Sequence, residues 1–456
     1  MPSPLAPAVS VKCQRANNGR PLAARTLDST HDAPWDPRTR SNPPLGPSPC
    51  HADGTMAPGT ESPPAGKEAA IRAACRHGGR ASALVELATS PAGLVSDDLR
   101  RIAWPLLLGC ARAELPAEKE TLAADSTKLS RHKDEDQVAL DVHRAFVYYP
   151  PADSEPQLAE RKQHLARVIL TVLRRHPALC YFQGYHDIVQ VFLLVLGPHD
   201  APAAVARLSL LRIRDFMLSS IAPAMAQLEL LRPLLRAADP RLYAHLPRYQ
   251  PSFALADTIT MFAHNIQDYR QITRLFDFFL ACHAAMPIYL FAAVVLSKRN
   301  ELLALDQDDQ DMLFFKLGKM PDPFDVEFHI ARALELFERL PPASLRSWEW
   351  WRISSFSVLK ASATSLSLRC MTLEQGEALF ARHEKQLQRR MVLDSVATKL
   401  TLVSMRLWYY RRYGAVGLAI VVGAYAVWLG RYGGIGARYP FLDSLAGLVS
   451  RFLGGP

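Results

Sequence analysis

The stretch CYFQGYHDIVQ, residues 180–190, follows an amphipathic run that Pro177 ends and leads into an apolar segment. Gln183-Gly184 sits where a loop into the next helix is expected, since glycine lets the backbone bend sharply. A long amide on so sharp a bend asks for a purpose. Upstream, QLAERKQHLARVILTVLRRH (157–176) puts Leu158, Leu165, Val168, Ile169, Val172 and Leu173 on one side, which predicts a core helix delivering the chain to Tyr181. The same helical spacing, without strand-like alternation, runs from Lys67 to about residue 340. The predicted fold class is all-α.

With 456 residues and 49% hydrophobic content, the chain can bury a sizeable core without disulfides. Its seven cysteines (Cys13, Cys50, Cys75, Cys110, Cys180, Cys282, Cys370) are scattered and form no CxxC pair, which fits a reducing, cytosolic environment. A net charge of +9 is too mild and dispersed for a nucleic-acid groove, so no nucleic acid is expected as a partner; it suits work beside an anionic membrane face. Residues 1–66 hold 13 of the 34 prolines and few large apolar side chains, too little burial to offset ordering entropy, and are expected to be disordered. No signal peptide is visible at the start.

SDDLRRIAWPLLLG (96–109) predicts a helix with Ser96 as N-cap, Asp97 and Asp98 opposing the dipole, and Leu99, Ile102, Ala103 and Leu106 as its apolar face. LFDFFLACHAAMPIYLFAAVVL (275–296) is apolar enough for a membrane span. Asp277, His283 and Pro287 instead favour two buried helices meeting at Met286-Pro287. From residue 341 to 405 the composition loosens, with SWEWW (347–351), a serine-rich stretch and a charged helical segment, and predicts a linker. Residues 406–456 read as a membrane anchor. Tyr413 to Gly430 are uncharged, about 27 Å of helix at ~1.5 Å per residue. Arg411, Arg412 and Arg431 flank this span, with Trp408, Tyr409, Tyr410, Trp428 and Tyr432 as interfacial aromatics. A span so near the end predicts a tail-anchored topology, and residues 439–456 have an amphipathic look.

In QVALDVHRAFVYYP (137–150), Val138, Asp141 and Arg144 stand three apart, so on a helix the carboxylate and guanidinium share a face. An Asp holding an Arg fixes a flexible cation in one pose; alone, the pair is a common surface motif. Followed by Tyr181-Phe182-Gln183-Gly184, it resembles the two fingerprints of the TBC domain, the Rab GTPase-activating fold. LRRIAWPLLLG (99–109) and RLFDFFL (274–280) resemble that family's Arg-x-x-x-Trp region and Arg-x-x-Asp helix, so the resemblance covers about residues 92–300 within a domain over 67–340. The text around YFQGYHDIVQ and LFDFFLACHAAMPIY, with the C-terminal span, is most similar to the endoplasmic-reticulum-anchored branch.

This resemblance implies an activator of Rab GTPases of the early secretory pathway, binding them in the GTP form. GTP hydrolysis passes through a loose transition state, so catalysis is mostly positioning and charge neutralisation. By resemblance, Arg144 is the arginine finger and Gln183 orients the attacking water in trans. Asp141 then aims Arg144, Tyr181 braces the loop, and Gly184 lets its backbone approach the partner. Tyr185, His186 and Asp187 are candidate contacts to the GTPase. The protein would carry no cofactor of its own, since GTP and Mg²⁺ belong to the partner, and would have no activity alone. It would lie on the endoplasmic reticulum membrane with the TBC domain in the cytosol. The competing expectation is a catalytically silent, membrane-anchored Rab-binding scaffold. His176, Cys180 and His186 match no regular zinc spacing, so no metal is expected, and Walker, GxSxG and HExxH motifs are absent.

Overall fold

In the computed structural model, which describes residues 65–76, 81–110, 129–150, 154–248, 250–345 and 347–432, every regular element is helical. Of the segment 1–66 expected to be disordered, residues 65 and 66 open the helix Ala65–Arg76, while residues 1–64 and the amphipathic look of 439–456 lie outside the described residues. The chain forms two units, 1–384 and 385–456.

The first unit is built on the helix pair Glu155–Arg175 and Tyr185–Leu211. Leu165, Val168, Ile169, Val172 and Leu173 are buried as predicted from their spacing, while Leu158, near the helix start, is only partly covered. The helix ends at Arg175, just before Pro177, whose ring cannot follow a helical residue without strain. Tyr185–Leu211 is apolar enough to cross a membrane by composition, yet 72% of its most apolar window is buried inside the unit. It is a core helix, interrupted at Gly197.

The apolar run 275–296 divides into Tyr269–Ala281 and Met286–Ser297, both buried. Asp268 caps the first, accepting from the Arg270 and Gln271 N–H groups at 2.7 and 3.3 Å. Pro287 falls in the first turn of the second, where its missing N–H has no intrahelical partner to lose.

Asp277 explains two of the sequence motifs together. Its carboxylate is fully buried and accepts from Trp104 Nε1 at 2.7 Å, Arg100 Nε at 3.1 Å, Arg100 Nη2 at 3.0 Å and the Leu94 N–H at 2.9 Å. One turn earlier, Arg274 pairs with Glu327 at 2.7 and 2.9 Å and donates to the carbonyls of Ala88 and Ser90. A buried carboxylate is tolerable only with such a full set of donors, and here they tie helix Asp97–Leu107 to helix Tyr269–Ala281. Ser96 has the extended backbone of an N-cap but its side chain makes no cap bond. Asp97 and Asp98 pair instead with Arg100 and Arg101, at 2.9 and 2.7 Å.

The segment read as a linker from residue 341 is, up to Glu384, part of the first unit. Serine richness misled the expectation, because Ser354, Ser357, Ser362 and Ser365 are buried, and the last three are hydrogen-bond partners of the first unit. Ser357 donates to Asp215 Oδ2 at 2.5 Å, Arg214 Nη1 donates to Ser362 Oγ at 2.8 Å, and Ser365 donates to the Ala281 carbonyl at 3.0 Å. Arg207 adds bonds to the carbonyls of Leu368 and Met371, at 3.0 and 2.8 Å.

The last helix is Leu373–Tyr432. In the second unit most of its described residues are exposed, and the helix holds an apolar window of mean hydropathy 1.7 with none of it buried. It is long and apolar enough to cross a membrane.

Candidate functional site

Arg144 stands just past helix Glu135–His143 as its C-cap; its N–H donates to the Asp141 carbonyl at 3.2 Å and the Ala145 N–H to the Val142 carbonyl at 3.1 Å. Its side chain is 43% exposed and Asp141's only 2%, so a buried carboxylate holds a cation that faces outward. The Arg144 Nη2 to Asp141 Oδ1 distance is 2.7 Å, within the range of a charge-assisted hydrogen bond. Gln137 Nε2 donates to the same oxygen at 3.1 Å.

The other carboxylate oxygen reaches the second sequence motif. Tyr181 Oη donates to Asp141 Oδ2 at 2.8 Å, and the Tyr181 N–H donates to Asp134 Oδ2 at 2.9 Å. Burial, reinforced by the neighbouring Asp141 charge, pushes the Tyr181 phenol well above its ordinary pKa, so it remains a proton donor. Its ring meets Tyr185 edge-on, with centroids 5.9 Å apart. Asp141 therefore links the segment of Arg144 to the segment of Gln183, which is half-buried two residues beyond Tyr181.

Gly184 opens helix Tyr185–Leu211 with φ of 101°, a left-handed conformation strained for any residue with a Cβ. A Cβ there would stand 2.6 Å from Thr260 Cγ2. Gly184 is itself buried, so the close approach that needs glycine is to Thr260 inside the fold, not to a partner.

The three residues expected to touch a GTPase behave differently from one another. Tyr185 is fully buried, its Oη 2.7 Å from Ser209 Oγ, and belongs to the core. His186 is 4% exposed, with Nδ1 3.3 Å from Tyr181 Oη and Nε2 3.1 Å from Asp187 Oδ1. Helix Tyr185–Leu211 presents its first turn inward, which removes both from the surface. Burial lowers the His186 pKa despite the two nearby carboxylates, favouring neutral imidazole. Asp187, half-buried, also takes His264 Nδ1 at 3.0 Å, and this hydrogen bond raises the His264 pKa.

Asp134, Gln190 and His264 were not singled out by sequence reasoning. Gln190 Oε1 accepts the Phe146 N–H at 2.9 Å and so holds the loop after Arg144. A polar residue on an otherwise apolar helix was the available signal for it; Asp134 and His264 had none, since their partners lie 47 and 77 residues away.

Residues 97–303 match the family described as Rab-GTPase-TBC domain. The chain is 34% identical over 349 residues to TBC1 domain family member 20 of Homo sapiens, covering 76% of this chain and 84% of that protein. The Bos taurus protein of the same name is 33% identical over 348 residues, with the same coverage. The GTPase-activating protein gyp10 of Schizosaccharomyces pombe is 32% identical over 300 residues, covering 65% of this chain and 78% of that protein. With this identity extending over most of both chains, and with the motif residues joined around Asp141 and Asp277, the chain belongs to the Rab-GTPase-TBC domain family.

Proposed function

We propose that this protein accelerates GTP hydrolysis by Rab GTPases of the early secretory pathway, engaging them in the GTP form and supplying Arg144 and Gln183 in trans. The observation that carries the reading is the Asp141 carboxylate, which takes Arg144 on one oxygen and the Tyr181 hydroxyl on the other. An outward guanidinium with a fixed pose is what neutralising developing charge on a phosphoryl group requires, and an amide on the adjoining loop is suited to orienting water. GTP and Mg²⁺ would both be the partner's. The exposed apolar window of helix Leu373–Tyr432 supports anchoring of the chain, tail-anchored with the TBC domain in the cytosol. Likeness to the endoplasmic-reticulum-anchored branch supports that membrane as the location.

A swap of glutamines tests the mechanism. A Rab whose own catalytic glutamine is changed to alanine should still respond to the wild-type protein and should not respond to Gln183→Ala. If Gln183 only steadies the start of the next helix, Gln183→Ala would cost roughly 1 kcal/mol of stability with little loss of stimulation. The mutant Rab would then respond to neither form. A scaffold without catalysis would bind GTP-loaded Rab and leave hydrolysis at its intrinsic rate.

A further inference from the structure

Between Arg144 and Pro150 two outward side chains stand between buried ones. Phe146 is buried, holds a left-handed φ of 63° and is bonded through its N–H to Gln190. Tyr149 is buried, its ring 5.8 Å from that of Tyr269. These two anchors fix the residues between them, and Val147 and Tyr148 are thereby held outward at 72% and 52% exposure. Leu140, in the last turn of helix Glu135–His143 and four residues before Arg144, is 67% exposed.

Single exposed apolar residues are ordinary on a protein surface. Three of them within four residues of one outward guanidinium, two on a loop whose backbone is strained and pinned, offer apolar surface to whatever meets that guanidinium. The same body that takes the Arg144 side chain must cover this ground. A GTPase whose phosphate meets Arg144 brings its own surface against the residues that flank it in the chain.

We propose that Leu140, Val147 and Tyr148 form an apolar docking rim around Arg144, packing against an apolar patch beside the nucleotide site of the GTPase. The rim sets affinity and the choice among GTPases, while Arg144 and Gln183 act on the rate. This rests on the GTPase-activating reading above. A pinned loop suits the task because little conformational freedom is lost on binding.

The test is phosphate release by GTP-loaded Rabs with the full chain in detergent, titrating each Rab to separate KM from kcat. The variants are V147S/Y148S, L140S and, for comparison, R144A. Burying an apolar side chain of this size is worth on the order of tenfold in affinity. V147S/Y148S should therefore raise KM for the preferred Rab ~tenfold or more, with kcat within twofold of wild type and an unchanged melting temperature. The conservative V147I/Y148F should restore KM, and R144A should lower kcat instead. Should V147S/Y148S keep the wild-type KM, or lose kcat alone, the rim is not a docking surface, although activation by the wild-type chain would still stand. If the wild-type chain stimulates no Rab, the GTPase-activating reading falls and the rim with it.

Discussion

The Tyr181 hydroxyl donates to Asp141 Oδ2 at 2.8 Å, across 40 residues of sequence, while Asp141 Oδ1 holds Arg144 at 2.7 Å. One buried carboxylate thus sets the pose of the candidate finger and the position of the loop that carries Gln183. Its replacement should be felt at both.

Arg144→Ala should remove most of the stimulation, about 10³- to 10⁵-fold for a trans arginine finger, with the fold retained and a stability loss of about 1–3 kcal/mol because the buried Asp141 carboxylate loses its cation. Arg144→Lys should rescue poorly, since an ammonium lacks the planar fork. Tyr181→Phe deletes only the hydroxyl and should cost about 1 kcal/mol, with a smaller loss of activity. Single-turnover hydrolysis beside denaturant unfolding separates these effects. An Arg144→Ala protein with most of its activity would rule out the finger.

Gly184→Ala combines two strains, a left-handed φ of 101° and a Cβ placed 2.6 Å from Thr260 Cγ2. Together they should lower stability by about 1–3 kcal/mol and displace Gln183. Thr260→Ser removes the clashing methyl yet keeps the hydroxyl that bonds the Ala256 carbonyl at 2.7 Å. Adding it should recover part of the lost stability, measurable as a shift in denaturation midpoint. No recovery would mean that the backbone conformation alone demands glycine.

Asp277→Ala leaves Trp104 Nε1, Arg100 and the Leu94 N–H without their buried acceptor. The expected loss is about 3–5 kcal/mol. Asp98→Ala, which breaks an exposed pair with Arg101, should cost under about 1 kcal/mol. Urea unfolding of both variants checks the contrast, and similar losses would show that Asp277 is not the tie between its two helices.

Removal of residues 406–456 should release the protein from membranes while leaving stimulated hydrolysis in solution. Fractionation with a carbonate wash reads the outcome directly. A truncated chain that stays in the pellet would place the anchor elsewhere than the exposed apolar window of helix Leu373–Tyr432.

The sequence by itself determined the all-helical class and the buried faces of its most regular helices, because a repeat near 3.6 residues is a local property that one segment carries alone. Leu165, Val168, Ile169, Val172 and Leu173 were legible in that way, as was the division of 275–296 into two core helices. On helix Asp97–Leu107 the repeat did less well, since Leu99 and Ala103 are buried as expected but Ile102 and Leu106 only partly. The pairing of Asp141 with Arg144 was also local, three residues apart. Only the tertiary structure decided that Asp277 receives Trp104 and Arg100, 173 and 177 residues away. It likewise decided that Tyr185 and His186 face inward, that Gly184 meets Thr260, and that the serines of 357–365 bond within the first unit. Contacts of that kind arise when separate helices are packed against one another, and their energy depends on which faces meet. A buried serine and a linker serine look alike in sequence, since what distinguishes them is the donor or acceptor that another part of the chain brings into reach.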